Sequence, residues 1–207
     1  MREHLNSGFY RQCGKRAIDL VLASAALVFA SPLILGAAIL VRWRLGSPVF
    51  FVEERAGRAG RPFVLHKLRT MTNEVDAAGR LLPDEHRLTP FGRRLRRTSI
   101  DELPQLLNVI KGDMTLVGPR PLPMRYVARY SAGQARRLEA VPGLTGLAQI
   151  RGRNSLSWSE RFALDVWYVD HQSLTLDLGI MLSTAVVVLR GRGISQAGHS
   201  TMEEFSR

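Results

Sequence analysis

The sequence predicts an α+β chain, mostly helical, with a membrane-embedded helix near its N-terminus and a small cytosolic domain carrying a few short strands. Three observations predict it. The run Ile18 to Val41 is apolar apart from Asp19. Short β-type segments bounded by glycine and proline follow it. Several segments of helical spacing with recognisable caps come after those. The 207 residues, 45% of them hydrophobic, suffice for one good-sized domain with a filled core. No repeat, low-complexity tract or second-domain boundary is visible.

As one straight helix the apolar run is roughly 36 Å long, enough to cross a hydrocarbon core of about 30 Å. Two features speak against a plain span. Ser31-Pro32 falls near its middle, where proline removes a backbone donor and favours a kink. Basic residues also flank both ends: Arg11, Lys15 and Arg16 before, Arg42 and Arg44 after. A spanning helix concentrates its basic excess on one side. A re-entrant hairpin keeps both flanks cytosolic, with the Ser31 hydroxyl available to the broken backbone. On these residues alone the span and the hairpin stay equally open. A cleaved signal peptide is set aside because the run is too long for one.

The remaining elements follow in order. Val49–Val52 and Pro62–His66 read as strands around the glycine- and arginine-rich turn Arg55–Arg61. Asn73–Leu88 reads as an exposed loop with some helical character. Leu103–Ile110 has helical spacing and stops at Gly112; Val117–Pro123 is a proline-rich loop, with a helical stretch over Met124–Ala140. Pro142-Gly143 and Gly146 mark a turn, and Leu147–Ile150 is expected to be a short strand. Ser157 to Glu160 has capping-box spacing, which starts a helix running to about Val169. Leu178–Leu189, at roughly 18 Å, is too short to span and reads as a core helix or an interfacial amphipathic one, the latter favoured by Arg190 and Arg192.

The net charge is +11, and of the 29 basic residues only Lys15, Lys67 and Lys111 are lysines. Guanidinium forks suit phosphates and anionic headgroups, so lipid, nucleotide or nucleic acid are the partners this charge admits. Cys13 is the single cysteine, which excludes an intrachain disulfide or a cysteine-rich metal centre and fits a reducing compartment. His4, His66, His86, His171 and His199 have no ligand spacing; His66 draws notice only because it abuts Lys67.

The densest run of chemistry-bearing residues is Ser99 to Pro121. Asp101 and Glu102 stand just before a helix, where an acidic residue is ordinarily a cap. Arg93, Arg94, Arg96 and Arg97 precede them, Lys111 follows, and Arg120 lies between two prolines. Two carboxylates amid that much positive charge make a plausible site for a phosphate and a divalent metal. A carboxylate can attack phosphorus to form an acyl phosphate, and its neighbour can hold Mg²⁺.

This run resembles the catalytic signature of the monotopic bacterial sugar transferases, the polyprenyl-phosphate phosphoglycosyl transferases that begin glycan assembly on lipid. The likeness extends from about Lys15 to Phe205. It includes Lys15-Arg16-Ala17-Ile18-Asp19, the Ser31-Pro32 break, Lys67-Leu68-Arg69-Thr70-Met71 and Gly118-Pro119-Arg120-Pro121. It continues through Pro142 to Gly146, Gln149, Gly152-Arg153, Phe162 to Asp165 and Tyr168-Val169. The resemblance implies a re-entrant membrane helix over residues 1–46 and a cytosolic, membrane-associated catalytic domain over 47–207, at the cytoplasmic face of a bacterial inner membrane. It implies that Asp101 attacks the β-phosphate of a UDP-sugar, expels UMP, and passes the sugar phosphate to polyprenyl (undecaprenyl) phosphate. Glu102 would ligate Mg²⁺; Lys67, Arg96 and Arg120 would hold phosphates; Asp165 and Asp177 match acidic positions near the site.

The chain departs from the family in one place. Glu53 stands where a glutamine is usual, in Phe51-Val52-Glu53-Glu54-Arg55-Ala56-Gly57. It also resembles the short, minimal members, with their tail over Gly198 to Phe205. Two rivals without catalysis, a nucleic-acid binder and a basic membrane adaptor, leave the acidic pair unexplained; the partners expected are UDP-sugar, polyprenyl phosphate and phospholipid, not nucleic acid, with homo-oligomerisation open. A third rival keeps the reaction but lets the lipid phosphate attack directly.

Overall fold

In the computed structural model, which describes residues 8, 10–152, 155–190 and 204–205, the apolar run forms helix α1, Lys15–Leu45, of 31 residues. Its hydrogen-bonded pattern continues through Pro32. Proline at that position leaves the Val28 carbonyl without its usual donor, and the Ser31 hydroxyl takes over, donating to Val28 O at 2.8 Å. The interruption is thus a substituted hydrogen bond within a continuing helix. Arg153, Arg192, His4, His199 and most of the expected tail lie outside the described residues.

Helix α1 buries one stripe. Lys15, Asp19, Ala23, Ala37 and Val41 are buried, with Leu27 and Ala38 partly so, at the three- and four-residue steps of one helical face. Val21, Val28, Phe29, Leu35, Ile39 and Trp43 are exposed. Both ends rest on the same body. Near the start, Arg16 donates to the carbonyls of Val109 and Ile110 at 2.6 and 2.7 Å. Asp19 accepts from the Thr115 hydroxyl and the Leu116 amide at 2.5 and 3.1 Å. Near the end, Ala37 and Val41 pack with Leu68 and Leu95, and Arg69 donates to the Leu45 carbonyl.

Strands β1, Phe50–Ala56, and β2, Pro62–Leu68, pair antiparallel, with Phe51 opposite Lys67. Both run longer than the sequence predicts. Strand β2 sends Phe63 and Leu65 into the main core, with Leu106, Val109, Met114, Val117, Leu147, Tyr168 and Ile180.

Helix α2, Pro90–Thr98, is capped by Thr89, whose hydroxyl accepts from the Gly92 amide at 3.0 Å. The sequence carries no clear helical signature here. Arginine fills so much of the segment that only Phe91 and Leu95 mark an apolar face. Gly92 permits the close packing: a Cβ there would fall 1.8 Å from the Thr70 carbonyl oxygen.

Asp101 and Glu102 ride on a 3-10 turn, Ile100–Gln105, which leads into helix α3, Leu106–Lys111, closed by Gly112 at φ 97°. The helix expected over Leu103–Ile110 is therefore half 3-10 and half α. Strand β3, Thr115–Val117, pairs in parallel with β4, Gly143–Thr145. The expected strand at Leu147–Ile150 is instead helix α4, Leu147–Arg151, and the strand is the segment just before it. A four-residue apolar run does not by itself separate strand from buried helix; here Leu147 and Ala148 are the buried face.

Met124–Ala140 resolves into 3-10 turns at Met124–Arg129 and Arg136–Glu139 around one helical turn, Ala132–Ala135. Helix α5, Trp158–His171, starts at the expected capping box of Ser157 and Glu160. Helix α6, Leu174–Arg190, begins four residues before the predicted start. It joins the core through Ile180, as the core reading expects, and leaves Leu178, Leu182 and Val186 exposed on another face.

Candidate active site

Asp101 is only 4% exposed, and its Oδ1 is buried without a hydrogen-bond partner. Unpartnered buried carboxylate oxygens are expensive and therefore informative. Burial, then the adjacent Glu102 charge, pushes the Asp101 carboxyl up to about 6, while Lys67, Arg96 and Arg120 pull it back down. Those cations arrive from three different elements.

Lys67 comes from β2, its ammonium 4.8 Å from the centroid of the Phe51 ring on the paired strand. Burial and the nearby Arg96 charge lower its pKa. Arg96 comes from α2 and is fixed by its Nε donating to the Thr70 hydroxyl at 2.9 Å; burial lowers its pKa too. It is the α2 arginine whose charge acts on Asp101, whereas Arg93, Arg94 and Arg97 are exposed.

Arg120 comes from the loop after β3. Its guanidinium forks onto both oxygens of Glu102, with Nη1 to Oε2 at 3.3 Å and Nη2 on Oε1. The Glu102 charge raises the Arg120 pKa. The loop is pinned by Gly118 N–H donating to Thr145 O and Gly143 N–H donating to Pro119 O, both at 2.9 Å. A Cβ on Gly118 would meet the Val141 carbonyl oxygen at 2.5 Å, so that approach requires glycine.

The structure therefore brings together Asp101, Glu102, Lys67, Arg96 and Arg120. Asp165 stands one step behind. It is buried and accepts from Arg137 Nε and Nη2 at 3.0 and 2.8 Å, and Arg137 in turn donates to the Arg120 carbonyl at 2.6 Å. Asp177 belongs to another cluster. It accepts from the Tyr10 hydroxyl and the Lys15 ammonium, each at 2.5 Å, and from the Tyr168 hydroxyl at 2.7 Å. Ser31 and Pro32 lie in the exposed middle of α1.

Arg137, which no local sequence signal marks, is brought by the fold to the back of this cluster. Arg55 is a second such residue, marked in the sequence only as part of a turn: burial lowers its pKa, and it donates to the Pro121 carbonyl at 3.3 Å. The unusual Glu53 is its ion-pair partner, so the acid at that position meets a local charge.

A buried carboxylate with one unbonded oxygen among Lys67, Arg96 and Arg120 is an arrangement that can meet a phosphate, because the cations would offset its charge. The chain belongs to the bacterial sugar transferase family, whose model matches residues 10–191, and it is a phosphoglycosyl transferase. It is 55% identical over 192 residues to the uncharacterized sugar transferase EpsL of Bacillus subtilis, covering 93% of this chain and 95% of that one. It is 42% identical over 185 residues to the UDP-glucose:undecaprenyl-phosphate glucose-1-phosphate transferase of Caulobacter vibrioides, covering 84% and 69%. It is also 39% identical over 196 residues to the undecaprenyl-phosphate galactose phosphotransferase of Salmonella typhimurium, covering 86% of this chain and 41% of that protein.

Proposed function

We propose that this chain transfers a sugar-1-phosphate from a UDP-sugar to undecaprenyl phosphate, releasing UMP, with Asp101 as a covalent nucleophile. The observation that carries the reading is the Asp101 Oδ1, buried and unpartnered among Lys67, Arg96 and Arg120. In the first step Asp101 Oδ attacks the β-phosphorus. The bond from that phosphorus to the bridging oxygen breaks, and UMP leaves with the electron pair. In the second, an oxygen of undecaprenyl phosphate attacks the same phosphorus and the Asp101 carboxylate departs. No proton needs to be placed on either leaving group at neutral pH, so fixed positive charge is the main demand on the protein.

Lys67 and Arg96 supply that charge beside the nucleophile, and Arg120 supplies it beside Glu102. Magnesium fits the donor set in the way this ion is usually held, by one or two carboxylates with substrate phosphates and water completing the shell. Asp101 Oδ1 offers an open oxygen and Glu102 a second carboxylate, which Arg120 shares; bound there, Mg²⁺ would neutralise charge on the diphosphate.

The reaction joins a soluble donor to a lipid acceptor, which requires the site to sit at a membrane surface. We place α1 as a re-entrant element at the cytoplasmic face of the inner membrane. In support, both of its ends rest on the same body while its opposite face exposes Val28 and Phe29 at 70% and 85%. Trp43 and Arg44 at its end are typical interface anchors.

The test is UMP release by purified full-length chain with UDP-sugars, Mg²⁺ and undecaprenyl phosphate. Asp101→Asn is expected to abolish it, and a single-turnover digest of wild type is expected to show a sugar-phosphate mass on the Asp101 peptide. Full turnover in Asp101→Asn would remove the nucleophile. Turnover lost in that variant, with no adduct ever trapped on wild type, would favour direct attack by the lipid phosphate.

A further inference from the structure

Beyond helix α6, Glu204 and Phe205 dock back onto the body of the protein. Phe205 is 5% exposed, its ring centroid 5.1 Å from Phe162, 5.4 Å from Trp158, 5.7 Å from Tyr126 and 6.1 Å from Tyr130. Its backbone is held on both sides. The Phe205 amide donates to the Tyr126 hydroxyl at 3.2 Å, and its carbonyl accepts from Arg129 at 2.5 Å. Glu204 accepts from Arg125 and Arg129 at 3.0 and 3.3 Å.

Two rings of this cage have a second neighbour. Tyr130 and Phe162 both face the Arg137 guanidinium, at 5.8 and 5.7 Å, in cation–π geometry. Arg137 is 3% exposed, is neutralised by Asp165, and grips the Arg120 carbonyl. Arg120 forks Glu102. Contact is therefore continuous from the tail, through two rings and one guanidinium, to the cation beside the acidic pair.

We infer that Glu204 and Phe205 form a positioning latch: by closing the aromatic cage they seat Tyr130 and Phe162 on Arg137, and so hold Arg120 in register with Glu102. The latch rests on the proposed reaction for what Arg120 does to the substrate. It needs no contact between the tail and any reacting atom. A cage that merely stabilised the fold would have the same rings but no coupling to Arg120, and this difference is measurable as non-additivity between the two sites.

The experiment is a double-mutant cycle on the full chain, reading kcat/KM for UMP release with thermal melting recorded for each variant. Phe205→Ala is expected to lower kcat/KM about tenfold in the wild-type background, because small misplacement of a charge-stabilising group is costly. In an Arg120→Lys background the same change is expected to alter it by less than about twofold. Phe205→Tyr, which refills the cage, should recover most of the loss. Equal factors in the two backgrounds, or an unchanged rate in folded Phe205→Ala, overturn the latch. Should Phe205→Ala fail to fold, Phe205→Leu and Glu204→Gln carry the same cycle with the same criteria. No UMP release from the wild-type chain would overturn the proposed reaction, and the latch with it; a normal wild-type rate with additive losses overturns the latch alone.

Discussion

Asp101 meets two opposed requirements. To serve as the proposed nucleophile it must be ionised, yet its buried position favours the protonated form, lifting its pKa from 3.8 to about 6. The native state thus holds this proton more tightly than the unfolded chain does. No penalty exists below about pH 4; it grows as pH rises through 6 and levels off above that at an amount on the order of 3 kcal/mol. Asp101→Asn removes the titration. Its melting temperature is therefore expected to match wild type near pH 4 and exceed it at pH 8, while UMP release is lost; a variant less stable than wild type at pH 8 would contradict this. The wild-type rate, for its part, should fall as pH drops through about 6, since protonation removes the attacking lone pair. A rate flat from pH 8 down to pH 5 would mean that Asp101 is not the group whose ionisation limits attack.

At the scale of elements, the most consequential question is the side on which α1 begins and ends. Cys13, just before it, is exposed and is the chain's single cysteine; Arg58, after it, is exposed in the β1–β2 turn. A re-entrant α1 predicts that a membrane-impermeant maleimide labels Cys13, and a cysteine introduced as Arg58→Cys in a Cys13→Ser background, from the same side of sealed vesicles. Labelling from opposite sides means a span. The apolar run, the hairpin and the α5 capping box were legible because each rests on a short-range rule: hydrophobic length, turn residues, or a serine three residues before a glutamate. Helix α2 was not, because its fold depends on a glycine contact with Thr70 and on two apolar residues. The β3–β4 pair was illegible for a different reason. Parallel strands of three residues are paired by their distant surroundings, here Gly118 and Gly143 in close approach. The same division holds in the site. Asp101, Glu102, Lys67, Arg96 and Arg120 stand in recognisable local motifs, whereas Arg137 matters only through a carbonyl seventeen residues away in sequence.

Over the whole molecule, one buried cluster ties the start of α1 to α5, α6 and β3. Asp177 of α6 accepts from Tyr10 and Lys15 at the head of α1 and from Tyr168 of α5, whose hydroxyl oxygen also lies 2.8 Å from the Val117 carbonyl oxygen at the end of β3. The Lys15–Asp177 pair is nearly solvent-free, its side chains 10% and 4% exposed. Removing one partner of such a pair leaves the other charge buried and typically costs about 3–5 kcal/mol, although the intact pair need not be a large net stabiliser. Asp177→Asn keeps shape and some hydrogen bonding, so a loss near the lower end, about 3 kcal/mol, is expected in a melting or denaturant series. Because Tyr10, Lys15 and Tyr168, which hold Asp177, are not the cations that act on Asp101, the fraction that remains folded should keep its kcat for UMP release. Lys15→Met with Asp177→Leu, which replaces the ion pair by apolar contact, should recover much of the stability. A Asp177→Asn variant as stable as wild type but catalytically dead would instead assign this carboxylate to the reaction, and would move the functional boundary of the site across the core to the head of α1.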